Sequence, residues 1–302
     1  MTTEKNHHLS NALIQELIDL SIVHPEKIID FFPSVRDKDD VRVLKCAVSG
    51  ILFLNRIDHL EKTYYENKSG TSYWNSKNRN SGLIETQEDD SRRLQQILPF
   101  ISNKVYSDVG SGLGGILDLA KKHAAHIQAV EPQKEMREIL THLNYSTFDS
   151  IESLEKSAEK SDFISLFHVF EHIRNPLESL IKLKKCLSKG GKIFIEVPHA
   201  NDALIQTFNL ESFKKFTFWS EHLILHTRES LRIYLEAAGF KNIQVMGFQR
   251  YPLANHLFWL KNNEPGGHIK MHGWRNEELE KVYASHLNKI DQTDTIIAIA
   301  ES

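Results

Sequence analysis

Cysteine is scarce in this chain: Cys46 and Cys186 are the two cysteines among 302 residues. They lie far apart and form no C-x-x-C pair, so the sequence excludes a disulfide framework. Proteins that use cysteine in this way are typical of a reducing compartment, and we expect a cytoplasmic location.

Long hydrophobic runs are also missing. The longest, at 47–54 and 296–300, are far too short to span a bilayer, and the polar stretch 1–10 lacks the apolar region of a signal peptide. The charges nearly balance, with 37 basic and 40 acidic residues and a net charge of −3. We therefore expect no membrane span and no nucleic-acid partner.

What the chain does contain is a regular alternation of strand and helix patterns from residue 104 onward. Such alternation predicts an α/β fold with a mostly parallel sheet and helices on both faces. Gly190-Gly191 is expected to close the third helix and Gly239 the fourth. The predicted strands are 104–109, 126–130, 163–167, 192–197, 242–246 and 295–300, and the predicted helices are 114–123, 134–143, 177–187, 228–238 and 277–287.

The preceding third of the chain has a different character. Apolar residues at helical spacing in 9–22 and 41–60 predict a helical N-terminal extension over 1–60, which could cap a pocket or form a homodimer contact. A polar, aromatic-rich stretch, 61–82, is either a packed loop or a flap over a ligand. A helix over 86–100 with Thr86 as its N-cap follows. The predicted division is 1–60, 61–100 and 101–302, with insertions at 200–227 and 250–275.

A glycine-rich turn, Asp108–Gly115, follows the first strand of the alternation. Gly110 and Gly112 let the backbone approach a ligand closely, and Gly114 lets the next helix pack near the sheet. The next strand ends at Glu131, where a carboxylate accepts hydrogen bonds from both ribose hydroxyls of a nucleoside. Dinucleotide sites follow G-x-G-x-x-G and hold a pyrophosphate, whereas here the glycines run G-x-G-x-G-G from Gly110, and Asp108 would oppose a pyrophosphate. The pattern favours S-adenosylmethionine, whose ammonium and sulfonium suit a carboxylate, over a dinucleotide cofactor of an oxidoreductase.

The sequence resembles the class I S-adenosylmethionine-dependent methyltransferases from about residue 100 to 250. The segments that carry the resemblance are Asp108–Gly115, Glu131-Pro132, DFISLFHVFEHIRNP at 162–176, GGKIFIEVP at 190–198, and 221–240. The resemblance implies a Rossmann-like, seven-stranded sheet whose last strand, 295–300, is antiparallel. It also implies that Glu131 holds the ribose, that Phe148 and Asp149 flank the adenine, and that His168 lies near the methionine end. The expected cofactor-binding residues are Asp108, Gly110, Ser111, Gly112, Gly114, Glu131, Pro132, Phe148, Asp149 and His168.

The segment 168–172 carries the candidate chemistry. H-x-x-E-H is also a zinc-protease signature, but Asn175-Pro176 limits any helix here to about two turns, so we reject that interpretation. In a methyltransferase, Glu171 or His172 could accept a proton from the acceptor, with His222 at the rim of the site. Alternatively, His168, Glu171 and His172 could hold a divalent metal, for which quinone-type relatives give precedent, or His172 could only orient the loop.

Side chains at the rim are candidates for binding the acceptor: His199, Arg250, Tyr251 and Asn255. The segment 250–275 is predicted to be a long loop. It suits a polyhydroxylated or phosphorylated molecule and resembles methyltransferases of surface-polysaccharide pathways, but it could equally pack on the N-terminal helices. A histidine-rich rim favours O-methylation of a small molecule or glycan, since a hydroxyl loses a proton in the reaction. The alternatives are N-methylation of a small amine and a non-catalytic scaffold that binds S-adenosylmethionine.

Overall fold

A seven-stranded sheet forms the centre of the protein. The computed structural model describes residues 11–60, 64 and 79–302, and strand order in this sheet is β10-β11-β8-β7-β4-β5-β6. Its strands are β4 (Val105–Val109), β5 (His126–Val130), β6 (Ser146–Phe148), β7 (Ser161–Phe167), β8 (Leu187–Pro198), β10 (Lys241–Phe248) and β11 (Thr295–Glu301).

The direction of the strands matches the predicted fold class. Strands β6, β5, β4, β7 and β8 pair in parallel, whereas β11 lies antiparallel between β8 and β10. The seven-stranded, mostly parallel sheet with an antiparallel last strand is therefore confirmed. The inner parallel strands β4, β5 and β7 are almost fully buried because helices cover both faces, whereas β6 at the edge is half-buried.

The helices that the structure describes surround this sheet. No described helix is long and apolar enough to cross a bilayer. The helices are α1 (Ala12–Asp19), α2 (Arg79–Ile101), α3 (Gly115–Ala120), α4 (Lys134–His142), α5 (Ile151–Glu155), α6 (Pro176–Cys186), α7 (Ala203–Gln206), α8 (Glu211–Thr217), α9 (Arg228–Ala237), α10 (Leu253–Asn262), α11 (Gly267–Lys270) and α12 (Glu277–Lys289).

The N-terminal region is only partly helical, which corrects the predicted extension. Helix α1 forms as expected, but the helix predicted over 41–60 is wrong: β2 (Val43–Cys46) and β3 (Leu52–Leu54) replace it. Gly50 has φ +74° and closes the turn between them by donating to the Cys46 carbonyl. A short apolar run such as 51–54, buried on every side, has no periodicity that separates a strand from a helix.

These strands belong to a second, antiparallel sheet that also includes residues of the predicted insertion 200–227. Its order is β1-β2-β3-β9, with β1 at Ile28–Phe32 and β9 at Ile224–Leu225. Phe53 pairs with Ile224, and the apolar side chains of this sheet join those of the central sheet in one core. The N-terminal residues are thus fixed beside the carboxyl ends of the central strands. A dimer contact through this region stays a prediction.

The aromatic-rich stretch 61–82 lies mostly outside the described residues, so its interpretation as flap or loop stays open. Thr86, predicted as an N-cap, instead lies within α2, where its hydroxyl donates to Asp90 Oδ2 at 2.7 Å. A threonine can satisfy its hydroxyl inside a helix in this way, so the capping pattern alone did not locate the helix start.

Two further local predictions are corrected. Gly190-Gly191 does not cap α6, because α6 ends at Cys186 and the next residue is already extended. The two glycines lie within β8, at a point where the pairing of β8 with β7 shifts register, and Gly190 has φ +76°. The segment 250–275 is not a long loop, because it contains α10, α11 and a 3₁₀ turn. Proline before α10 and glycine before α11 begin these helices.

Candidate active site

A cavity of about 970 Å³ lies at the carboxyl ends of the central strands. Its size is at the upper end of ordinary ligand pockets, which leaves room for a cofactor together with an acceptor. Residues after β4, β5, β6, β7 and β8 all contribute to its walls. Among the predicted site residues, the lining includes Gly110, Gly112, Glu131, Pro132, Asp149, His168, His172, His199, His222, Arg250 and Tyr251.

The glycine-rich turn has the backbone shape that the sequence predicts. Gly110 has φ +76° and Gly112 φ +49°, a region that glycine adopts without strain. A Cβ at Gly110 would overlap the side chain of Val169, so the turn can lie against the loop after β7 only with glycine at this position. The turn therefore exposes bare backbone to the cavity.

Glu131 connects this turn to the next strand. Its Oε2 accepts from the Gly112 N–H at 2.7 Å, and its Oε1 accepts from the Gln133 N–H at 2.8 Å. Burial raises the pKa of this carboxyl, while the two backbone donors act in the opposite direction. A carboxylate held from both sides at the cavity wall has the position expected for a ribose acceptor.

Asp108 lies elsewhere than the sequence predicts. Its carboxylate is buried beneath the glycine turn, outside the lining of the cavity, and Oδ1 accepts from the Ser165 hydroxyl at 2.6 Å. The two residues are directly paired between β4 and β7, so the pleat of the sheet directs Asp108 toward Ser165. Asp108 therefore supports the turn from below, and its predicted role in binding the cofactor stays a prediction.

Burial raises the pKa of Asp108 to about 7, which gives a testable effect on stability. The folded-state pKa lies above the unfolded value near 4, so the free energy of unfolding contributed by this group falls as pH rises from about 4 to 7. We expect Asp108→Asn to gain stability relative to the native protein over that interval, by about 2 kcal/mol or more, and to gain nothing further above pH 8. Urea unfolding at several pH values measures the difference, with exposed Asp39→Asn as the control. Parallel curves for Asp108→Asn and the native protein would contradict the assignment.

The other predicted cofactor residues divide between the lining and its supports. Pro132 and Asp149 reach the cavity, and Phe148 accepts the Glu131 N–H through its carbonyl without lining the cavity. Ser111 is buried and donates to the Asp108 carbonyl at 2.8 Å. Gly114, at φ +75°, begins α3, and a Cβ there would lie 2.5 Å from Leu140. Ser111 and Gly114 therefore shape the turn.

His168 directly follows β7 and lies inside a buried network of charges. Its Nδ1 is 3.3 Å from Glu171 Oε1, and its Nε2 is 3.3 Å from Glu196 Oε1. Burial alone would lower the pKa of His168, but hydrogen bonds to these two carboxylates raise it overall. Its φ of +54° is strained for a residue with a side chain. This strain and the paired charges fix the ring at the cavity wall.

Arg250 lines the cavity, but its guanidinium is already paired with other side chains of the protein. Its Nε lies 3.0 Å from both carboxylate oxygens of Asp89 on α2, and its Nη1 lies 3.3 Å from His168 Nε2. The guanidinium therefore holds α2 against the cavity, and the predicted contact of Arg250 with the acceptor stays a prediction. Asn255 is buried on α10 outside the cavity lining, so its predicted contact with a substrate is corrected.

Glu171, His172 and His222 form the reactive cluster of the site. One potential ligand atom from each lies within 4.8 Å of the others. Hydrogen bonding from His168 and the nearby imidazoles lowers the pKa of Glu171 to about 2, against the effect of burial. Burial lowers the pKa of His222 to about 3, and its Nδ1 lies 3.0 Å from the Thr217 carbonyl, which assigns the proton to Nδ1. The predicted metal-binding set was His168, Glu171 and His172. In the structure His168 lies outside the cluster, and His222 completes it instead.

His199 contributes to the cavity lining, but its ring is fully buried. Nδ1 lies 3.0 Å from the Thr293 carbonyl, and Nε2 lies 3.7 Å from Asp291. Burial lowers its pKa to about 4. The ring thus holds the segment before β11, and the predicted substrate contact finds no support in its position. Tyr251 does line the cavity, with the Arg250 guanidinium 5.0 Å from its ring.

The acceptor end of the cavity contains residues that the sequence did not single out. Phe213 and Phe216 on α8 line it and pack edge-on or tilted against Trp259 of α10. Arg36 and Leu60 come from the N-terminal region. The density of aromatic residues in 213–219 is a sequence signal that could have indicated an apolar wall of the cavity. The approach of Arg36 depends on the second sheet, and no sequence signal indicates it.

Comparison with known proteins agrees with this geometry. Residues 85–245 match the model of a methyltransferase domain, so the chain belongs to that family. Two ubiquinone biosynthesis O-methyltransferases of Coxiella burnetii strains are similar: one is 26% identical over 171 residues and the other 24% over 176 residues, each covering 51% of this chain and 71% of the relative. The predicted class, an enzyme that transfers a methyl group from S-adenosylmethionine, is thereby confirmed.

A solved structure supports the fold independently. A SAM-dependent methyltransferase from Archaeoglobus fulgidus superposes with a TM-score of 0.52 at 19% identity, covering 77% of this chain and 97% of the other. The family match begins within α2, so most of the second sheet and Arg36 lie outside it.

Proposed function

We propose that the protein methylates a hydroxyl group of a small-molecule acceptor, with S-adenosylmethionine bound along Gly110, Gly112 and Glu131. The observation that carries this proposal is the cluster formed by Glu171 and His172, which follow β7, and His222, which lies between α8 and β9. A sulfonium methyl is already activated, so much of the rate comes from alignment, but a hydroxyl must also lose its proton. The cluster supplies groups suited to that step.

His172 is the residue that takes the proton in this proposal. Its side chain lines the cavity, and its Nε2 lies 3.9 Å from Glu171 Oε1. The anionic Glu171 stabilises the imidazolium that forms, as a carboxylate does in other histidine-based proton transfers. His222 stays neutral because of its lowered pKa, with its ring centroid 5.1 Å from that of His172. It therefore helps to position the base and the acceptor without competing for the proton.

The same cluster has a composition that fits a divalent metal. One carboxylate and two imidazoles are common ligands for such ions, and His222 Nε2 is unprotonated in the assigned tautomer. A bound ion would lower the pKa of the acceptor hydroxyl. The predicted set of His168, Glu171 and His172 is less suitable, because His168 is engaged by Glu171 and Glu196.

The walls around the acceptor favour an aromatic or largely apolar small molecule over a glycan. Ile205, Phe213, Phe216 and Leu225 line this end of the cavity. The glycan hypothesis depended on the segment 250–275, where Arg250 is paired with Asp89 and Asn255 is off the cavity. The similarity to O-methyltransferases of ubiquinone biosynthesis also supports an aromatic or apolar acceptor over a glycan.

A panel of matched acceptors tests the proposal. We expect methyl transfer from labelled S-adenosylmethionine to phenols and catechols at a rate at least about tenfold above that for the corresponding anilines, because the site is built to accept a hydroxyl proton. Mass spectrometry and NMR of the product identify the methylated atom. Faster transfer to the amines would favour the N-methyltransferase alternative, and cofactor binding without transfer to any member would favour a non-catalytic scaffold.

A further inference from the structure

Arg36 brings a positive charge to the acceptor end of the cavity. It lies in the loop between β1 and β2 and is one of the residues that line the cavity. Its guanidinium carbon is 4.4 Å from the centroid of the Trp219 ring and 5.8 Å from that of Phe216. When a guanidinium stacks on an aromatic ring, its N–H donors lie in the plane of the guanidinium and point sideways, away from the ring. They remain available to a ligand there.

The loop that carries Arg36 is fixed against the segment that carries these rings. The Arg36 N–H donates to the Phe218 carbonyl at 3.0 Å. The adjacent Asp37 accepts from both the N–H and the hydroxyl of Ser220, at 2.9 and 2.6 Å. These bonds fix the backbone of the loop, and the guanidinium is oriented by its stacking on Trp219 and its bond to the Phe216 carbonyl. Such orientation before a ligand arrives reduces the entropic cost of binding.

Among residues 11–60, 64 and 79–302, no carboxylate forms an ion pair with the Arg36 guanidinium; the adjacent Asp37, whose pKa Arg36 helps to lower, accepts its hydrogen bonds from Ser220. Within those residues the Arg36 guanidinium donates one hydrogen bond, from Nη1 to the neutral Phe216 carbonyl at 3.3 Å. Two other arginines of the cavity wall differ in this respect: Arg93 pairs with Glu196 and Arg250 with Asp89. A guanidinium has five N–H donors in a fork that matches a carboxylate or phosphate.

Trp219 connects this cation to the reactive cluster. The centroid of its ring lies 6.2 Å from that of His172 and 5.7 Å from that of His222, and Arg36 stacks on the same indole. An aromatic acceptor with a hydroxyl at His172 could therefore place a ring substituent near Arg36. We propose that Arg36 recognises an anionic group, a carboxylate or a phosphate, on the acceptor. This inference rests on the proposed function for the position of the hydroxyl.

Binding of matched probes tests the proposal without requiring turnover. The protein saturated with S-adenosylhomocysteine is titrated calorimetrically with 3-hydroxybenzoate, 3-hydroxyphenyl phosphate and the neutral 3-hydroxybenzamide. We expect Arg36→Gln to weaken binding of the better anionic probe by about tenfold and binding of the amide by less than about twofold. Arg36→Lys, which keeps the charge but loses the fork, should fall between. Comparison of the two anions identifies the preferred group.

Arg174→Gln is the matched control, because Arg174 lines the same cavity but lies beside the N-terminus of α6. It should leave the preference for anions unchanged. The proposal is overturned if the native protein binds neither anion better than the amide, if Arg36→Gln weakens all probes equally, or if Arg174→Gln has the larger effect. A preference that depends on Arg36 without methyl transfer to any probe would instead count against the proposed function alone.

Discussion

Replacing Glu131 with alanine is expected to weaken binding of S-adenosylmethionine by at least about 100-fold. Hydrogen bonds to a charged acceptor each contribute about 1.5–3 kcal/mol, and a carboxylate here would accept from two ribose hydroxyls. The substitution also removes the acceptors of the Gly112 and Gln133 N–H groups, so the turn loses support at the same time. Isothermal titration calorimetry measures the affinity, and thermal unfolding without ligand shows whether the fold persists.

Two further variants make this test specific. Glu131→Gln keeps one carbonyl oxygen at the same place and should lose less affinity than alanine. Glu138→Gln alters an exposed glutamate on α4 and should leave the affinity unchanged. If the alanine variant bound the cofactor as tightly as the native protein, the ribose assignment of Glu131 would be wrong.

The geometry of the part of the cavity proposed for the cofactor was predictable because it depends on local rules. A strand followed by glycines at Gly110 and Gly112, and a carboxylate at the end of the next strand, place all three at one edge of a parallel sheet whatever the rest of the chain does. The exception is Asp108. Its direction is decided by pairing with Ser165 on β7, a strand more than fifty residues away, and no spacing within the turn reports that contact.

The acceptor half was much less predictable because it is assembled from distant segments. Arg36 reaches the cavity only because β3 pairs with β9, and Arg250, which lines the cavity, is paired only because Asp89 on α2 faces it. A sequence pattern identifies Arg250 as a cation in a polar stretch, but the partner of a charge is a tertiary property. The apolar run 51–54 shows the same difficulty at the level of secondary structure.

Replacing His172 with alanine is expected to lower kcat by about 100- to 10,000-fold, the usual contribution of a general base. The affinity for S-adenosylmethionine should change by less than about twofold, because Glu131 and the glycine turn remain intact. Steady-state kinetics with the best phenolic acceptor gives kcat, and calorimetry gives the cofactor affinity. An unchanged kcat would assign His172 to a purely structural role, whereas a parallel loss of cofactor affinity would show that the loop itself had moved.

The comparison with His222→Ala separates direct base catalysis from a metal site. If His172 acts alone as the base, His222→Ala should be distinctly more active than His172→Ala, and EDTA should leave the native enzyme active. The pH dependence of kcat in the native enzyme should then be lost in His172→Ala. If Glu171, His172 and His222 hold an ion, both alanine variants should lose similar activity, and EDTA should abolish native turnover until a divalent metal is restored. The neutral His222 is compatible with either outcome, since an unprotonated Nε2 can support a neighbouring ring or ligate a cation. The chelation result therefore decides between the two.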